Sequence, residues 1–483
     1  MKPDEFYADL HVHPMIRPST LREISSPWTD YDEEETPERR YHRRARISRS
    51  DFSKAFQGGV RLLGTYLIVP ERYIYSKMLT SPSVLARYFN MDVEAIREIL
   101  CTRPFKLLKK EFKSLKESLE DPNSERSAVI IRNKKELETT LADPNKLALV
   151  LGVEGAHNLD LEYEGPDFPV EGKLYNFKNK VETAEPKSFE LVEKRVRWLK
   201  KNHVKLFTLN HFVFNHLASM PKAAELTGWK KIGHNPFKSL WQLGNYRGLT
   251  HLGQYFVEEC MKAGIVLDLK HCDAISRAQI YRLAQRYDMP VIGSHVAVSG
   301  RATNVNGNSL LQMEDFPADR KKASKFNPWD INFHDDDIVA VHRSGGLLGL
   351  ILDERVLASV ESQKKLTKLE KPGDSTALLF AQIEHIYKTL RKAGVPGPAC
   401  FDSICIGSDY DGFIEPLPNV PTLADLRHRP EEHGENRSQL DVTLLELLQK
   451  HAHTFRASKL QPAEIVNKIF RENQMRLYQR VFQ

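Results

Sequence analysis

The run Asp9-Leu10-His11-Val12-His13 ends the first short apolar stretch of the chain. In a β-strand the side chains at i and i+2 leave the same face, so His11 and His13 point together, as two imidazoles must to grip one divalent metal ion. The pattern then recurs. Glu154 follows Leu-Val-Leu-Gly-Val, His211 follows Leu-Phe-Thr-Leu-Asn, His271 follows Val-Leu-Asp-Leu-Lys, His295 follows Val-Ile-Gly-Ser, and Asp409 follows Ile-Cys-Ile-Gly-Ser. A core histidine satisfied by a backbone carbonyl accounts for one such position, not for a series of metal-capable residues each terminating an apolar run. Such a set points to hydrolysis assisted by divalent cations.

The elements that must carry these residues follow from the alternation of short apolar runs with amphipathic stretches, the signature of a parallel sheet with crossover helices. Eight runs read as strands: Tyr7 to Val12, Val60 to Val69, Leu147 to Val153, Val204 to Leu209, Ile265 to Leu269, Pro290 to Ser294, Leu347 to Leu352 and Ser403 to Ser408. Helical patterns lie between them, among them Phe189 to Asn202, Leu252 to Ala263, Ile275 to Tyr287 and Leu378 to Ala393, with Gly264 and Gly394 at the expected C′ positions. The expectation is an α/β, TIM-like (β/α)8 barrel, with the metal-capable residues at the C-terminal ends of its strands. Such a barrel needs roughly 250 residues. A single 483-residue domain therefore carries long insertions in its βα loops, near 14–58, 71–145, 306–335 and 413–437, and two helices from Val442 to Phe482 that close the wall or form a dimer surface.

Several segments together resemble the membrane (renal) dipeptidase family of zinc peptidases, within the amidohydrolase superfamily. They are Gly248-Leu249-Thr250-His251-Leu252-Gly253-Gln254 running on through Gly264 to His271, then Gly152-Val153-Glu154-Gly155, Thr208-Leu209-Asn210-His211, Ser294-His295 and Gly407-Ser408-Asp409-Tyr410-Asp411-Gly412. The resemblance implies a binuclear zinc site. His11 and His13 would bind one ion, Glu154 would bridge, His271 and His295 would bind the second, and Asp409 would bind metal and shuttle the proton. His211 would face the scissile carbonyl, and Arg301 would hold a substrate carboxylate. The resemblance also suggests a homodimer. His13 stands where the family usually has Asp, which keeps a ligand but removes a negative charge.

With that ligand set, two divalent cations bring four positive charges while Glu154 and Asp409 return two, so a metal-bridging hydroxide is favoured. Asp409 would take its proton and pass it to the leaving amine, and His211 would stabilise the oxyanion. The residual positive charge suits anionic substrates, with Arg301 as the fork for a terminal carboxylate. Asp411, at i+2 from Asp409, competes for the same role, and only the resemblance separates them. Asp268 is expected to support the site rather than to bind metal.

The composition is that of a soluble globular protein, 41% hydrophobic and 28% charged, and Lys+Arg 70 against Asp+Glu 64 leaves +6, too little for an electrostatic nucleic-acid binder. The basic cluster Arg39, Arg40, Arg43, Arg44, Arg46 and Arg49 follows Asp30, Asp32, Glu33, Glu34 and Glu35 and reads as a locally paired, solvated insertion. Five cysteines without a CxxC pair fit reduced thiols, and the start of the chain lacks the apolar region of a secretory signal. The expected protein is cytoplasmic, with no nucleic-acid or membrane partner. It acts as a dipeptide-cleaving hydrolase with a small-molecule or dipeptide substrate. The sequence leaves two other readings open, a superfamily hydrolase acting on a lactone, cyclic amide or N-acyl amino acid, and a non-catalytic ligand-binding barrel.

Overall fold

The structure, a computed structural model, describes residues 6–21, 23–24, 26–31, 47–72, 81–89, 91–161, 186–212, 215–219, 221, 248–302, 326–327, 331–359, 374–427 and 439–483. Nine strands form one parallel sheet: β1 (Tyr7–Val12), β2 (Val60–Leu67), β3 (Ser127–Ile130), β4 (Lys146–Glu154), β5 (Leu206–Thr208), β6 (Val266–Asp268), β7 (Val291–Val296), β8 (Leu348–Leu350) and β9 (Ile404–Ile406). Eight of them, in the order β1-β2-β4-β5-β6-β7-β8-β9, make a TIM-like barrel wall, and each coincides with a run read from the sequence.

The period-2 alternation of the strands divides their apolar residues between two cores. Leu62, Tyr66, Ala148, Val150, Val266 and Ile292 pack together in one cluster, while Leu63, Leu67, Leu149, Leu151 and Val153 join the larger cluster that includes the surrounding helices. The helices Pro186–Lys201, His251–Lys262, Ala274–Tyr287 and Asp374–Lys392 lie where the 3.6 period places them, and Gly264 and Gly394 take φ of 70° and 85° just past two of their ends. Thr250 caps one of them, its hydroxyl accepting from the amide of Gly253 at 2.8 Å.

The barrel closes between β9 and β1 with few backbone bonds. The Asp409 amide donates to the His11 carbonyl at 2.9 Å and the His13 amide to the Tyr410 carbonyl at 3.0 Å. Below them the Asp9 carboxylate accepts the amides of His11 and Ser408, both at 3.0 Å. At the N-terminal end of the seam the Gln474 side-chain amide donates to the carbonyls of Ala8 at 3.2 Å and Ile406 at 3.0 Å, and Asn473 donates to Phe401 and Ile404. Both residues sit on the C-terminal helical run.

Two segments carry detail beyond the sequence reading. The segment near 71–145 contains a strand of its own, β3, which lies off the eight-strand path and pairs in parallel with the first half of β4, Ser127 to Ile130 against Lys146 to Leu149. β5 takes over as the partner of β4 only from Gly152. The expected C-terminal pair of helices is present as Leu440–Lys450 and Pro462–Val481, joined by a 3-10 turn at Ala452–Ser458, and the second widens to π geometry at Lys468–Glu472. Of the expected insertions, 22, 25, 32–46, 73–80, 90, 306–325, 328–330 and 428–437 lie outside the described residues, and with them Arg39, Arg40, Arg43, Arg44 and Arg46. None of the five cysteines is paired, and among the described residues no helix is long and apolar enough to cross a membrane.

Candidate metal centre

At the C-terminal mouth of the barrel, six of the residues expected to bind metal converge. The Nε2 atoms of His11 and His13 lie 2.9 Å apart. Glu154 Oε2 is 3.5 Å from the first and 3.2 Å from the second, and Asp409 Oδ1 is 3.8 Å and 3.2 Å from them. On the other side Glu154 Oε1 is 3.3 Å from His271 Nε2 and 3.5 Å from His295 Nε2, which are 3.3 Å from each other. Ligands held tetrahedrally at 2.0–2.1 Å from one zinc ion are about 3.3 Å apart, so both groups have the spacing of a metal shell. Each Glu154 oxygen faces a different group, and its Oε1 is buried without a hydrogen-bond partner. The residues fit divalent ions.

The electrostatics run the same way. Burial opposes charge on His13, but Asp409 and Glu154 outweigh it and push the imidazole up to about 10, a demand for positive charge that a cation would meet. Burial pushes His271 down to about 3 and His295 well below the ordinary histidine range, which leaves both in the neutral form that binds metals. Burial also works against ionised Glu154, yet His211 and His11 hold it well below the usual carboxylate range.

Neighbouring groups set which ring nitrogen faces the centre. Ser294 Oγ donates to the Asp268 carboxylate and lies 2.7 Å from His11 Nδ1 and 2.9 Å from His295 Nδ1. A hydroxyl has one proton, and Asp268 takes it, so both Nδ1–H groups donate to the serine and both Nε2 lone pairs turn inward. Asp268 is itself fixed by the amides of Ser294 at 2.9 Å and Lys270 at 3.1 Å and by the Thr208 hydroxyl at 2.7 Å. His13 Nδ1 donates to the Tyr66 carbonyl at 3.1 Å, and the Tyr66 ring stacks on His11 with centroids 3.8 Å apart.

His271, Asp409 and Asp411 all adopt left-handed backbone, with φ of 64°, 63° and 64°. Non-glycine residues held there are strained and cluster at functional sites. Gly412 leaves room for the Asp409 carboxylate, since a Cβ at that position would stand 2.2 Å from Oδ1. Asp411 turns the other way. Its carboxylate accepts the amides of Arg49 at 2.9 Å and Ser50 at 2.7 Å, the Ser50 hydroxyl at 2.8 Å and the Arg17 guanidinium at 3.2 Å.

A cavity of ≈ 710 Å³, counted out to its mouth, opens over the cluster and is lined by His13, Glu154, His211, His271, His295 and Asp409. His211 forms an ion pair through Nδ1 with Glu71, a residue the sequence reading did not single out. Glu71 is 1% exposed and also accepts the Phe212 amide at 3.0 Å. Burial works against its charge, but His211 and His157 hold it down to about 2, while the charges of Glu71 and Glu154 raise His211 against its own burial. Arg301 is exposed and is not among the residues lining the cavity; its carbonyl accepts the amide of Asp335 at 2.8 Å.

Fold and site together define a TIM-like barrel whose mouth gathers four imidazoles and two carboxylates. No family model matches the chain, and no curated protein matches it in sequence. Solved structures do match over its whole length. The probable dipeptidase PvdM from Pseudomonas aeruginosa shares 13% identity at a TM-score of 0.52, over 99% of this chain and 95% of its own. A metallopeptidase described as dipeptidase AC shares 13% at 0.53 over 99% of each chain. A metallopeptidase from Rhodobacter sphaeroides, solved with a phosphinate mimic of the dipeptide L-Ala-D-Ala, shares 14% at 0.51, also over 99% of each. At these identities the likeness is one of fold.

Proposed function

We propose that this chain is a metal-dependent hydrolase that cleaves the amide bond of dipeptides or similar small amino-acid amides. The observation that carries the reading is the Glu154 carboxylate, which presents one oxygen to the His11–His13–Asp409 group and the other to the His271–His295 pair. His11, His13, Glu154 and Asp409 would hold one ion, and Glu154, His271 and His295 a second. The mixture of imidazoles and carboxylates suits zinc. Ions bound there would lower the pKa of water and polarise a carbonyl.

The remaining steps belong to side chains. Asp409, whose carboxylate has the room that Gly412 leaves, takes the proton of the attacking water and returns it to the leaving nitrogen. His211 keeps its Nδ1 proton on Glu71, which leaves Nε2 to donate to the developing oxyanion and compensates the positive charge this needs. The barrel shared with the Rhodobacter sphaeroides metallopeptidase, which holds a dipeptide mimic, supports a substrate of that size.

The test is to strip the full chain with a chelator, restore zinc or manganese, and measure bound metal and turnover over dipeptides, N-acyl amino acids and lactones. Two ions per chain and dipeptide hydrolysis are expected. Selective lactone turnover would replace the peptidase reading, and failure to retain metal would end it.

A further inference from the structure

Among the described residues, one lysine and one arginine line the cavity, and they differ in how their charge is met. The Arg355 guanidinium is clasped by Asp353, with Nε 3.1 Å from Oδ1 and Nη2 2.5 Å from Oδ2, and Nη2 also donates to the Phe413 carbonyl at 2.9 Å. Its donors and its charge are largely spent. Lys270, next to His271, is 1% exposed and lines the same cavity, yet its Nζ has no hydrogen-bond partner. A buried ammonium with three idle donors is costly, and it persists where something completes it.

Asp409, Glu154, Asp268 and Asp353 act on Lys270 electrostatically without bonding its Nζ. Two of them, Asp409 and Glu154, are the carboxylates assigned above to metal, and Asp353 is taken by Arg355. Asp268 is committed to Ser294 and Thr208. None of the four bonds Nζ, so its donors stand open to an anion that enters the cavity.

We propose that Lys270 receives the free carboxylate of the substrate, and so selects compounds in which that carboxylate lies one residue beyond the scissile amide. The inference rests on the amide-hydrolase reading and names its specificity residue in place of Arg301. In a dipeptide the carboxylate follows the scissile carbonyl by a single residue, whereas each further residue carries it up to about 3.6 Å away. With Lys270 in the same cavity lining as His271, a carboxylate held there suits the short span of a dipeptide better than the longer one of a tripeptide.

The experiment compares kcat/KM for an alanyl dipeptide and its C-terminal carboxamide in the metal-loaded full chain, in the wild type, Lys270→Met and Lys270→Arg, with metal content measured on each. A charge-assisted hydrogen bond sets the expected preference for the acid at about 10–100-fold in the wild type. In Lys270→Met the acid-to-amide ratio falls to within about threefold of one, through KM, and Lys270→Arg restores part of it. Because each ratio is taken within one preparation, partial misfolding does not affect it. An acid preference that survives in Lys270→Met overturns the assignment, as does a wild type that accepts both substrates equally. Loss of metal from Lys270→Met in step with activity also overturns it, since Lys270 would then support the ligand set. A wild type that hydrolyses neither substrate refutes the hydrolase reading instead. Calorimetric binding of a phosphinate dipeptide mimic and of its carboxamide, in wild type and Lys270→Met, then decides the role of Lys270 by itself.

Discussion

Replacing Ser294 with alanine removes one hydroxyl and should weaken metal binding on both sides of Glu154. That oxygen accepts from His11 Nδ1 at 2.7 Å and from His295 Nδ1 at 2.9 Å, and these two imidazoles face opposite oxygens of the bridge. Without the acceptor either ring can adopt the tautomer that turns a proton inward, or rotate. Losing an outer partner of a metal-binding histidine lowers affinity by roughly 10–100-fold, which at about 1.4 kcal/mol per decade is about 1.4–2.8 kcal/mol per ion. The fold should survive, because Asp268 keeps the Thr208 hydroxyl and two backbone amides. The assay is competition for zinc against a chromophoric chelator, resolving both binding steps, with circular dichroism as a check on folding. Ser294→Thr, which keeps the hydroxyl, should regain much of the affinity. If only one step weakens in the alanine variant, or both stay within about threefold of wild type, the shared-acceptor reasoning is wrong.

His271→Ala should lose one of the two ions and most turnover, whereas Asp409→Asn should keep at least one ion and lose catalysis; metal analysis beside a rate assay reads both, and an active Asp409→Asn would reject its proton role. Asp411→Ala should do the reverse, with metal content unchanged and stability reduced by roughly 2–4 kcal/mol in chemical denaturation, because buried donors at Arg17, Arg49 and Ser50 lose their acceptor. Glu71, held near 2 against an ordinary 4.5, contributes stability that is present above 4.5 and disappears as pH falls toward 2. The denaturation penalty of Glu71→Gln should accordingly be largest at pH 6, clearly smaller at pH 3 and nearly gone by pH 2, and a penalty independent of pH would show that the pair with His211 is not ionic. Free zinc at a hundred times its dissociation constant should raise unfolding free energy by about 2.7 kcal/mol per site over the chelated protein.

The barrel was legible because its strands are buried on both faces and read as unbroken apolar runs. β3 was not, since Ser-Ala-Val-Ile is four residues long and only half of it is buried. The metal-capable set was legible because barrel geometry converts strand ends into a ring, so residues far apart in sequence share one mouth. Partners fixed only in space were hidden. Glu71 meets His211 across 140 positions, and Ser294 meets His11 across 283. Asp409 and Asp411 could not be separated by spacing, because a left-handed backbone at both residues breaks the strand alternation that the i, i+2 rule assumes. Their difference lies in donors at Arg17, Arg49 and Ser50. Lys270 drew no notice because an isolated lysine is ordinarily a surface residue.

The side chain of Gln474 joins the carbonyls of Ala8 and Ile406 across 466 and 68 positions. A chain emerging from the ribosome thus exposes His11 and His13 long before the residue that clamps their strand in place has been made. Until Gln474 has been made the seam between the first and last strands lacks this clamp, and cations meeting the nascent protein before Asp409 has been made find only fragments of their binding site. Assembly of the centre thereby waits on contacts between distant segments, a class of closure that is slow and leaves unpaired strand edges exposed to aggregation while it lasts.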